Sequence, residues 1–156
     1  MRATIFFCFT SLLLINVSAK DWPQWRGPDR NGISTETGLL QSWPSDGPKL
    51  AWRATGLGAG YSSLAIADGV IFTLGDLDDG SYAIAISETD GSPIWKTKIG
   101  EAGGHRKYPG TRCTPTVDGG EVFVLNQHSD FACLDAAKGE LKWTKNLIKD
   151  FGGKMM

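Results

Sequence analysis

An eleven-residue pattern occurs twice in this chain and constrains the fold more than any other feature of the sequence. Residues 85–95 read AISETDGSPIW, and residues 133–143 read CLDAAKGELKW. In both copies a glycine precedes the final tryptophan by four positions, and the second copy begins 48 positions after the first. A fixed period of about 40 to 50 residues is typical of repeat architectures, in which similar small units stack on one another.

Each repeat contains four short segments that have the composition of β-strands. β-Branched and aromatic residues are frequent in them, and Asp68-Gly69 is a strong signal for a tight hairpin. The predicted strands are 63–67, 70–74, 82–86 and 93–99 in the first repeat and 114–117, 121–125, 131–134 and 141–147 in the second. Residues 47–52 resemble a lone fourth strand ahead of the first repeat. We therefore predict an all-β fold with almost no helix.

Four antiparallel strands form one small sheet with two apolar faces, which the sheet cannot bury alone. Radial stacking of such sheets gives a β-propeller. We predict a partial β-propeller of about two four-stranded antiparallel blades, at about 61–100 and 112–148, plus one extra strand. The structural residues of the repeat are predicted to be tryptophans that fill the gaps between blades, glycines that allow a positive φ in a hairpin, and one aspartate: Trp52, Trp95, Trp143, Gly91, Gly139 and Asp135.

The first 19 residues have the layout of a secretory signal peptide. Arg2 precedes an almost wholly apolar run at 3–15, and Val17-Ser18-Ala19 supplies the small residues of a cleavage site. The apolar run is shorter than the roughly 20 residues that a membrane-spanning helix needs. We therefore expect export to the periplasm or the extracellular space and no transmembrane span. A buried N-terminal strand or helix is the alternative interpretation.

A segment rich in tryptophan and proline, residues 20–49, separates the predicted signal peptide at 1–19 from the repeats, which occupy 50–156. The prolines and glycine of its opening residues are incompatible with a regular helix. Trp22 and Trp25 are a large apolar load for a loop, so we expect the segment to dock on the rest of the fold. An exposed tryptophan pair that binds sugar rings is the alternative.

The overall charge restricts the class of partner. The chain has 16 Lys and Arg residues against 17 Asp and Glu residues, a net charge of −1. This balance argues against nucleic acid or an anionic membrane surface as the main partner.

Two cysteines, Cys113 and Cys133, lie outside the predicted signal peptide. Export allows them to pair. The predicted strands place them on the first and third strands of one blade, about 9–10 Å apart, which exceeds the ~7 Å that a disulfide tolerates between Cα atoms. Two buried thiols are therefore favoured, and a disulfide is the alternative interpretation.

Two segments resemble ligand sites and have simpler explanations. The glycine-rich run at 56–60 precedes a predicted strand rather than a helix, unlike a dinucleotide-binding loop, so it is interpreted as a turn. Asp76, Asp78 and Asp79 precede Gly80, but the spacing differs from that of a calcium-binding loop. A solvated hairpin turn explains them.

A basic cluster, His105-Arg106-Lys107-Tyr108 with Arg112, lies in the linker between the repeats. Linkers of this kind line one face of a propeller, so the cluster is a candidate contact for an anionic ligand or partner; a solvated loop is the alternative. His105 and His128 lack the spacing of metal ligands. The sequence therefore predicts no catalytic and no metal-binding residue, and it leaves any cofactor-binding residues unknown.

The repeat resembles the signature A-x-D-x-x-x-G-x-x-x-W of pyrroloquinoline quinone (PQQ)-type propellers. The second copy carries it as Asp135, Gly139 and Trp143, whereas the first copy has Ser87 in place of the aspartate. The opening WPQWRGP at 22–28 and the GYSS at 60–63 are similar to the N-terminal part of secreted PQQ-like repeat proteins of the BamB type.

This resemblance implies a ring of about seven or eight blades, so further blades or another subunit are needed to cover the open blade faces. We expect this chain to be an N-terminal fragment; a short chain that completes its ring by oligomerisation is the alternative. The resemblance implies a non-catalytic scaffold that binds a protein partner. The alternative function is the N-terminal part of a PQQ-dependent alcohol or sugar dehydrogenase, in which PQQ and calcium would be the cofactors. No catalytic residue of such enzymes matches a motif here.

Overall fold

Two four-stranded antiparallel sheets account for most of the regular structure. The computed structural model of the chain describes residues 20–154, so the predicted signal peptide lies outside the described residues. The first blade contains β1 (Ala65–Ala67), β2 (Val70–Leu77), β3 (Gly80–Ser87) and β4 (Pro93–Gly100), in that spatial order. A short hairpin of β5 (Gly104–His105) and β6 (Tyr108–Pro109) follows. The second blade contains β7 (Thr116–Asp118), β8 (Glu121–Leu125), β9 (Asp130–Asp135) and β10 (Leu141–Asn146), again in spatial sequence.

The structure confirms the prediction of an all-β fold built from two four-stranded blades. No helix occurs between residues 20 and 154, and consequently none that could cross a membrane. The Asp68-Gly69 turn joins β1 to β2, with φ values of 52° and 74° at the two residues. Positive φ at both central residues is the geometry of a tight hairpin whose twist matches that of its strands.

The main core lies between the two blades. Side chains alternate between the faces of a strand, so every second residue of each blade faces the other blade. The first blade contributes Ala65, Ala67, Phe72, Leu74, Ala83, Ala85 and Ile99, and the second contributes Val122, Val124, Ala132 and Leu134. All of these residues are buried.

The outer face of the first blade is covered by an irregular segment rather than by a strand. Ile71, Ile84 and Ile86 pack there against Trp52 and Leu57. The prediction of an extra strand at 47–52 is wrong, because none of these residues lies in a β-strand. A strand is defined by its ladder of backbone hydrogen bonds, and among the described residues no neighbouring strand pairs with this segment.

The outer face of the second blade carries an aromatic cluster. The ring centroids of Phe131 and Trp143 lie 5.3 Å apart, and those of Phe123 and Trp143 lie 6.2 Å apart. Trp143 remains 40% exposed. The two blades therefore differ in how their outer faces are covered within the described residues.

Candidate binding surface on the inter-blade hairpin

The tryptophan of one repeat packs on the glycine turn of the following repeat. The indole Nε1 of Trp95 donates to the carbonyl oxygen of Ala136 at 2.9 Å, and a Cβ placed on Gly139 would lie 2.5 Å from the Trp95 ring. Trp52 has the same relation to the first blade: its Nε1 donates to the carbonyl oxygen of Glu88 at 3.1 Å, and its ring lies against Gly91. Both glycines have φ of 71°, which favours glycine on conformational grounds as well.

Asp135 organises the turn that receives Trp95. Its Oδ1 accepts hydrogen bonds from the backbone N–H groups of Ala137 and Lys138 at 3.0 and 2.9 Å. In the first repeat, Ser87 Oγ accepts one such bond, from Thr89 N at 3.2 Å. Asp90 adds a second side-chain hydrogen bond to this turn, because its Oδ1 accepts from the backbone N–H of Ser92 at 3.0 Å. The serine therefore retains part of the function of the aspartate.

A carboxylate network joins the two blades beside the linker. Asp76 accepts hydrogen bonds from Gly103 N at 2.7 Å, Ser81 Oγ at 2.5 Å and Gln127 Nε2 at 3.0 Å. The carbonyl oxygen of Glu101, 2.8 Å from Ser81 Oγ, is an alternative acceptor for the same hydroxyl proton. These bonds connect β2, β3, the linker and the β8–β9 turn, so Asp76 has a structural role. No pattern in the sequence indicates this network, because Gln127 lies 51 residues from Asp76.

Of the two neighbouring aspartates, Asp79 forms a hydrogen bond within the first blade and Asp78 is exposed. The hydroxyl of Tyr82 donates to Asp79 at 3.0 Å and, together with Lys98, lowers the pKa of the Asp79 carboxyl group. Among residues 20–154 no group of three or more His, Cys, Asp or Glu side chains could hold a metal ion.

The β5–β6 hairpin carries the basic cluster predicted from the sequence and adds an aromatic cluster to it. The rings of His105 and Tyr108 stack with centroids 5.6 Å apart and planes at 17°. Tyr61 meets Tyr108 edge to face at 6.3 Å. The two tyrosines are 60% and 56% exposed, respectively. We call Tyr61, His105, Arg106, Lys107, Tyr108 and Arg112 the hairpin surface.

The base of the hairpin surface is fixed by contacts between the segments that precede β1 and β7. The backbone N–H of Tyr61 donates to the carbonyl oxygen of Thr111 at 2.7 Å, and Ser62 Oγ donates to Thr111 Oγ1 at 3.0 Å. Thr111 is fully buried. A Cβ on Gly60 would lie 2.8 Å from Thr111 Oγ1, so the close approach requires glycine there. Two segments that are distant in sequence therefore present their aromatic rings side by side.

The cations of the hairpin surface form no ion pair with any acidic side chain that the structure describes. Within residues 20–154 the ion pairs are Lys98 with Asp79 and Lys142 with Glu121. Arg112 donates through Nη2 to the carbonyl oxygen of Tyr108, which holds its guanidinium beside the aromatic cluster. Arg106 and Lys107 are exposed at the tip of the hairpin.

The remaining candidate residues lie apart from this surface. Trp22 is partly buried against Gly27, whereas Trp25 is 64% exposed. Cys113 and Cys133 are free thiols, and burial raises the pKa of both. The glycine-rich run at 56–60 passes along β2, where the backbone N–H of Ala59 donates to the Asp76 carbonyl oxygen at 2.8 Å.

Comparison with known proteins identifies relatives of this fold. A family model described as outer membrane protein assembly factor BamB matches residues 34–151. No curated protein sequence matches the chain significantly.

Solved structures share the architecture at low sequence identity. The quinohemoprotein alcohol dehydrogenase from Comamonas testosteroni has a TM-score of 0.58 at 19% identity, over 83% of this chain and 20% of that protein. The quinohemoprotein alcohol dehydrogenase ADHIIG from Pseudomonas putida HK5 has a TM-score of 0.51 at 24% identity, over 66% of this chain and 15% of that protein. BamB from Moraxella catarrhalis has a TM-score of 0.48 at 18% identity, over 64% of this chain and 28% of that protein. This chain therefore spans less than a third of the length of each of the three.

Proposed function

This chain belongs to the BamB family of PQQ-like repeat proteins, and from that premise we propose that it is an exported β-propeller module that binds a protein partner through the hairpin surface. Scaffold proteins of this kind act by presenting a surface of fixed shape. The observation that carries the proposal is the exposed Tyr61–Tyr108–His105 cluster beside cations that form no ion pair within residues 20–154.

The composition of the hairpin surface supports a protein contact. Tyrosine and arginine are enriched among the residues that dominate binding energy at protein interfaces. Tyr61 and Tyr108 offer large exposed rings that lose little side-chain entropy on binding, since each ring already has a neighbour within 6.3 Å.

The charge of the hairpin surface favours an acidic segment of the partner. Arg106, Lys107 and Arg112 give three positive charges on a chain whose net charge is −1. Complementary charges steer association and suppress wrong partners, and they do so less at high ionic strength. We therefore expect partner binding to weaken as salt is raised.

Site-specific photo-crosslinking in the source cell tests the proposal. A photoreactive amino acid at position 107 should give a discrete crosslinked species, whereas the same group at exposed Lys138 on the β9–β10 turn should not. The double substitution Arg106→Glu and Arg112→Glu should abolish the species while the protein remains folded by circular dichroism. Equal crosslinking from both positions would contradict a contact at the hairpin surface.

A cofactor titration separates the scaffold from the alternative function. Saturable binding of PQQ in the presence of calcium, with dye-linked alcohol oxidation by the full-length protein, would replace the scaffold proposal by that of a dehydrogenase. If PQQ binding or alcohol oxidation occurs, we expect it to be unchanged by substitutions in the hairpin surface.

A further inference from the structure

The segment at the start of the described chain forms hydrogen bonds with the first strand of each blade, β1 and β7. Trp22 and Ile66 exchange two backbone hydrogen bonds, Trp22 N to Ile66 O at 2.8 Å and Ile66 N to Trp22 O at 2.9 Å. The next residue reaches the second blade, because the Pro23 carbonyl oxygen accepts from Val117 N at 2.8 Å. Asp21 Oδ1 accepts from Asp68 N at 3.2 Å. We call residues 21–23 the clamp, since they join β1 to β7.

Lys20, the residue immediately before the clamp, is held at both of its nitrogen atoms. Its backbone nitrogen donates to Glu36 Oε1 at 2.5 Å, and its Nζ donates to Thr35 Oγ1 at 2.8 Å. Glu36 is partly buried. Between residues 20 and 154 no Lys, Arg or His side chain forms an ion pair with Glu36. Within the described residues, the partly buried Glu36 carboxylate therefore has no side-chain cation to offset the cost of its desolvation.

We propose that Lys20 is the first residue of the mature protein and that its α-ammonium group forms an ion pair with Glu36 that fixes the clamp. The inference rests in part on the proposed export, because a signal peptidase must cut the chain. Val17-Ser18-Ala19 places small residues directly before the proposed cut.

The cleavage changes the donor that faces Glu36. The peptidase catalyses addition of water across the Ala19–Lys20 peptide bond. The hydroxyl goes to the carbonyl carbon of Ala19, which becomes a carboxylate, and the nitrogen of Lys20 gains protons and becomes an ammonium group. A neutral N–H with one proton is thereby replaced by a cation with three. Hydrogen bonds between ionised partners are roughly twice as strong as neutral ones.

Processing therefore strengthens an anchor at the point where the clamp begins. The bonds of Trp22 and Pro23 to the two blades follow within three residues of the new terminus. Fixing Lys20 reduces the entropy that the clamp loses when it docks, because fewer of its backbone dihedrals remain free. The expected consequence is that the processed protein holds its two blades together more firmly.

Mass spectrometry and thermal unfolding of the exported full chain test the proposal. The intact mass and N-terminal sequence should identify Lys20 as the first residue. Glu36→Gln should lower the Tm of this mature protein by about 2–4 °C. Glu36→Asp, which keeps the charge, should recover part of the loss, and Glu140→Gln on the exposed β9–β10 turn should have no effect.

A matched background separates the ion pair from an ordinary hydrogen bond. Insertion of Gly-Ser between Ala19 and Lys20 preserves the cleavage site but moves the new ammonium group two residues away. In that protein Glu36→Gln should change the Tm by less than half as much. A mature terminus other than Lys20 would overturn the processing site, and equal effects of Glu36→Gln in both backgrounds would overturn the ion pair. Both results leave the hairpin test intact, since its variants and its readout are different.

Discussion

At the scale of single residues, the contact between a tryptophan and a glycine organises this molecule. The sequence showed that both residues recur at the same spacing, and it predicted that Trp95 fills the gap between blades. Spacing alone could not show that Trp95 packs on Gly139 of the following repeat, or that its indole N–H donates to Ala136. Such a contact depends on how two sheets stack, which is a property of the tertiary structure.

Replacement of Trp95 by alanine should lower the free energy of unfolding by about 3 kcal/mol, because it removes packing on Gly139 and Phe72 and one hydrogen bond. Trp143→Ala should cost less in this chain, since Trp143 is 40% exposed and its aromatic neighbours, Phe123 and Phe131, belong to its own blade. Urea denaturation of both variants, with Lys138→Ala as control, measures the difference. A larger loss for Trp143→Ala would contradict this assignment.

Replacement of Gly139 by alanine tests the close approach itself. The new Cβ would lie 2.5 Å from the Trp95 ring, and the backbone would be strained at φ of 71°. We expect a loss of about 2 to 4 kcal/mol. Gly69→Ala is the matched control, because its φ is similarly positive at 74° but no atom lies within 4 Å of its Cβ position. If both variants lose equal stability, the ring contact has no role.

The Glu121–Lys142 pair makes the stability of the second blade depend on pH. The hydrogen bond and charge of Lys142 at 2.9 Å lower the pKa of Glu121, and the same contact raises the pKa of Lys142. A lowered carboxyl pKa contributes stability that is present above its unfolded value, near 4.3, and is lost as pH falls through the folded value. Glu121→Gln should therefore flatten the fall of Tm below about pH 5. The effect should be small and weaken with salt, because both side chains are exposed.

At the scale of elements, a hairpin was predictable where the residues of its own turn and strands determine its structure. Asp68-Gly69 and the alternating residues of β3 were sufficient to place the strands of the first blade. The β5–β6 hairpin was not predicted as a strand pair, because its ladder joins Gly104 to Pro109 and His105 to Tyr108 within a short linker. The segment at 47–52 has the sequence of a strand but lacks a partner, so its pattern could not determine its structure.

The Asp76 network is the element-scale contact with the clearest test. Asp76→Asn would place an amide where three donors converge, from Gly103, Ser81 and Gln127. The neutral amide oxygen would still accept from Gly103 and Gln127, but without the negative charge of the carboxylate, and a hydrogen bond to a charged group contributes about 1 kcal/mol more than a neutral one. We expect a loss of that size in chemical denaturation. Exposed Asp78→Asn, two residues away, should be neutral. Equal stability of the two variants would show that the network does not join the blades.

At the scale of the whole molecule, the period of the repeat was enough to predict a propeller-like stack, since a small sheet with two apolar faces has few other ways to bury both. The functional surface could be predicted only in part. The basic residues at 105–108 were evident in the sequence, but Tyr61 joins them through contacts with Thr111 that link positions 50 residues apart.

Each blade also presents an outer face of its own. That of the first blade has a groove of about 500 Å³ between Leu57, Ile86 and Ile94, and that of the second carries the Phe123–Phe131–Trp143 cluster. That further blades or another subunit cover these faces stays a prediction.

The most direct test of the proposed function is the Kd of the partner identified by crosslinking, measured by isothermal titration calorimetry. We predict that Tyr108→Ala weakens binding by about tenfold or more, as expected for an aromatic residue at the centre of an interface. Lys138→Ala should bind like the wild type, and raising the salt concentration should weaken wild-type binding. Unchanged affinity of Tyr108→Ala, in a protein whose Tm is also unchanged, would contradict the assignment of the hairpin surface as the binding site.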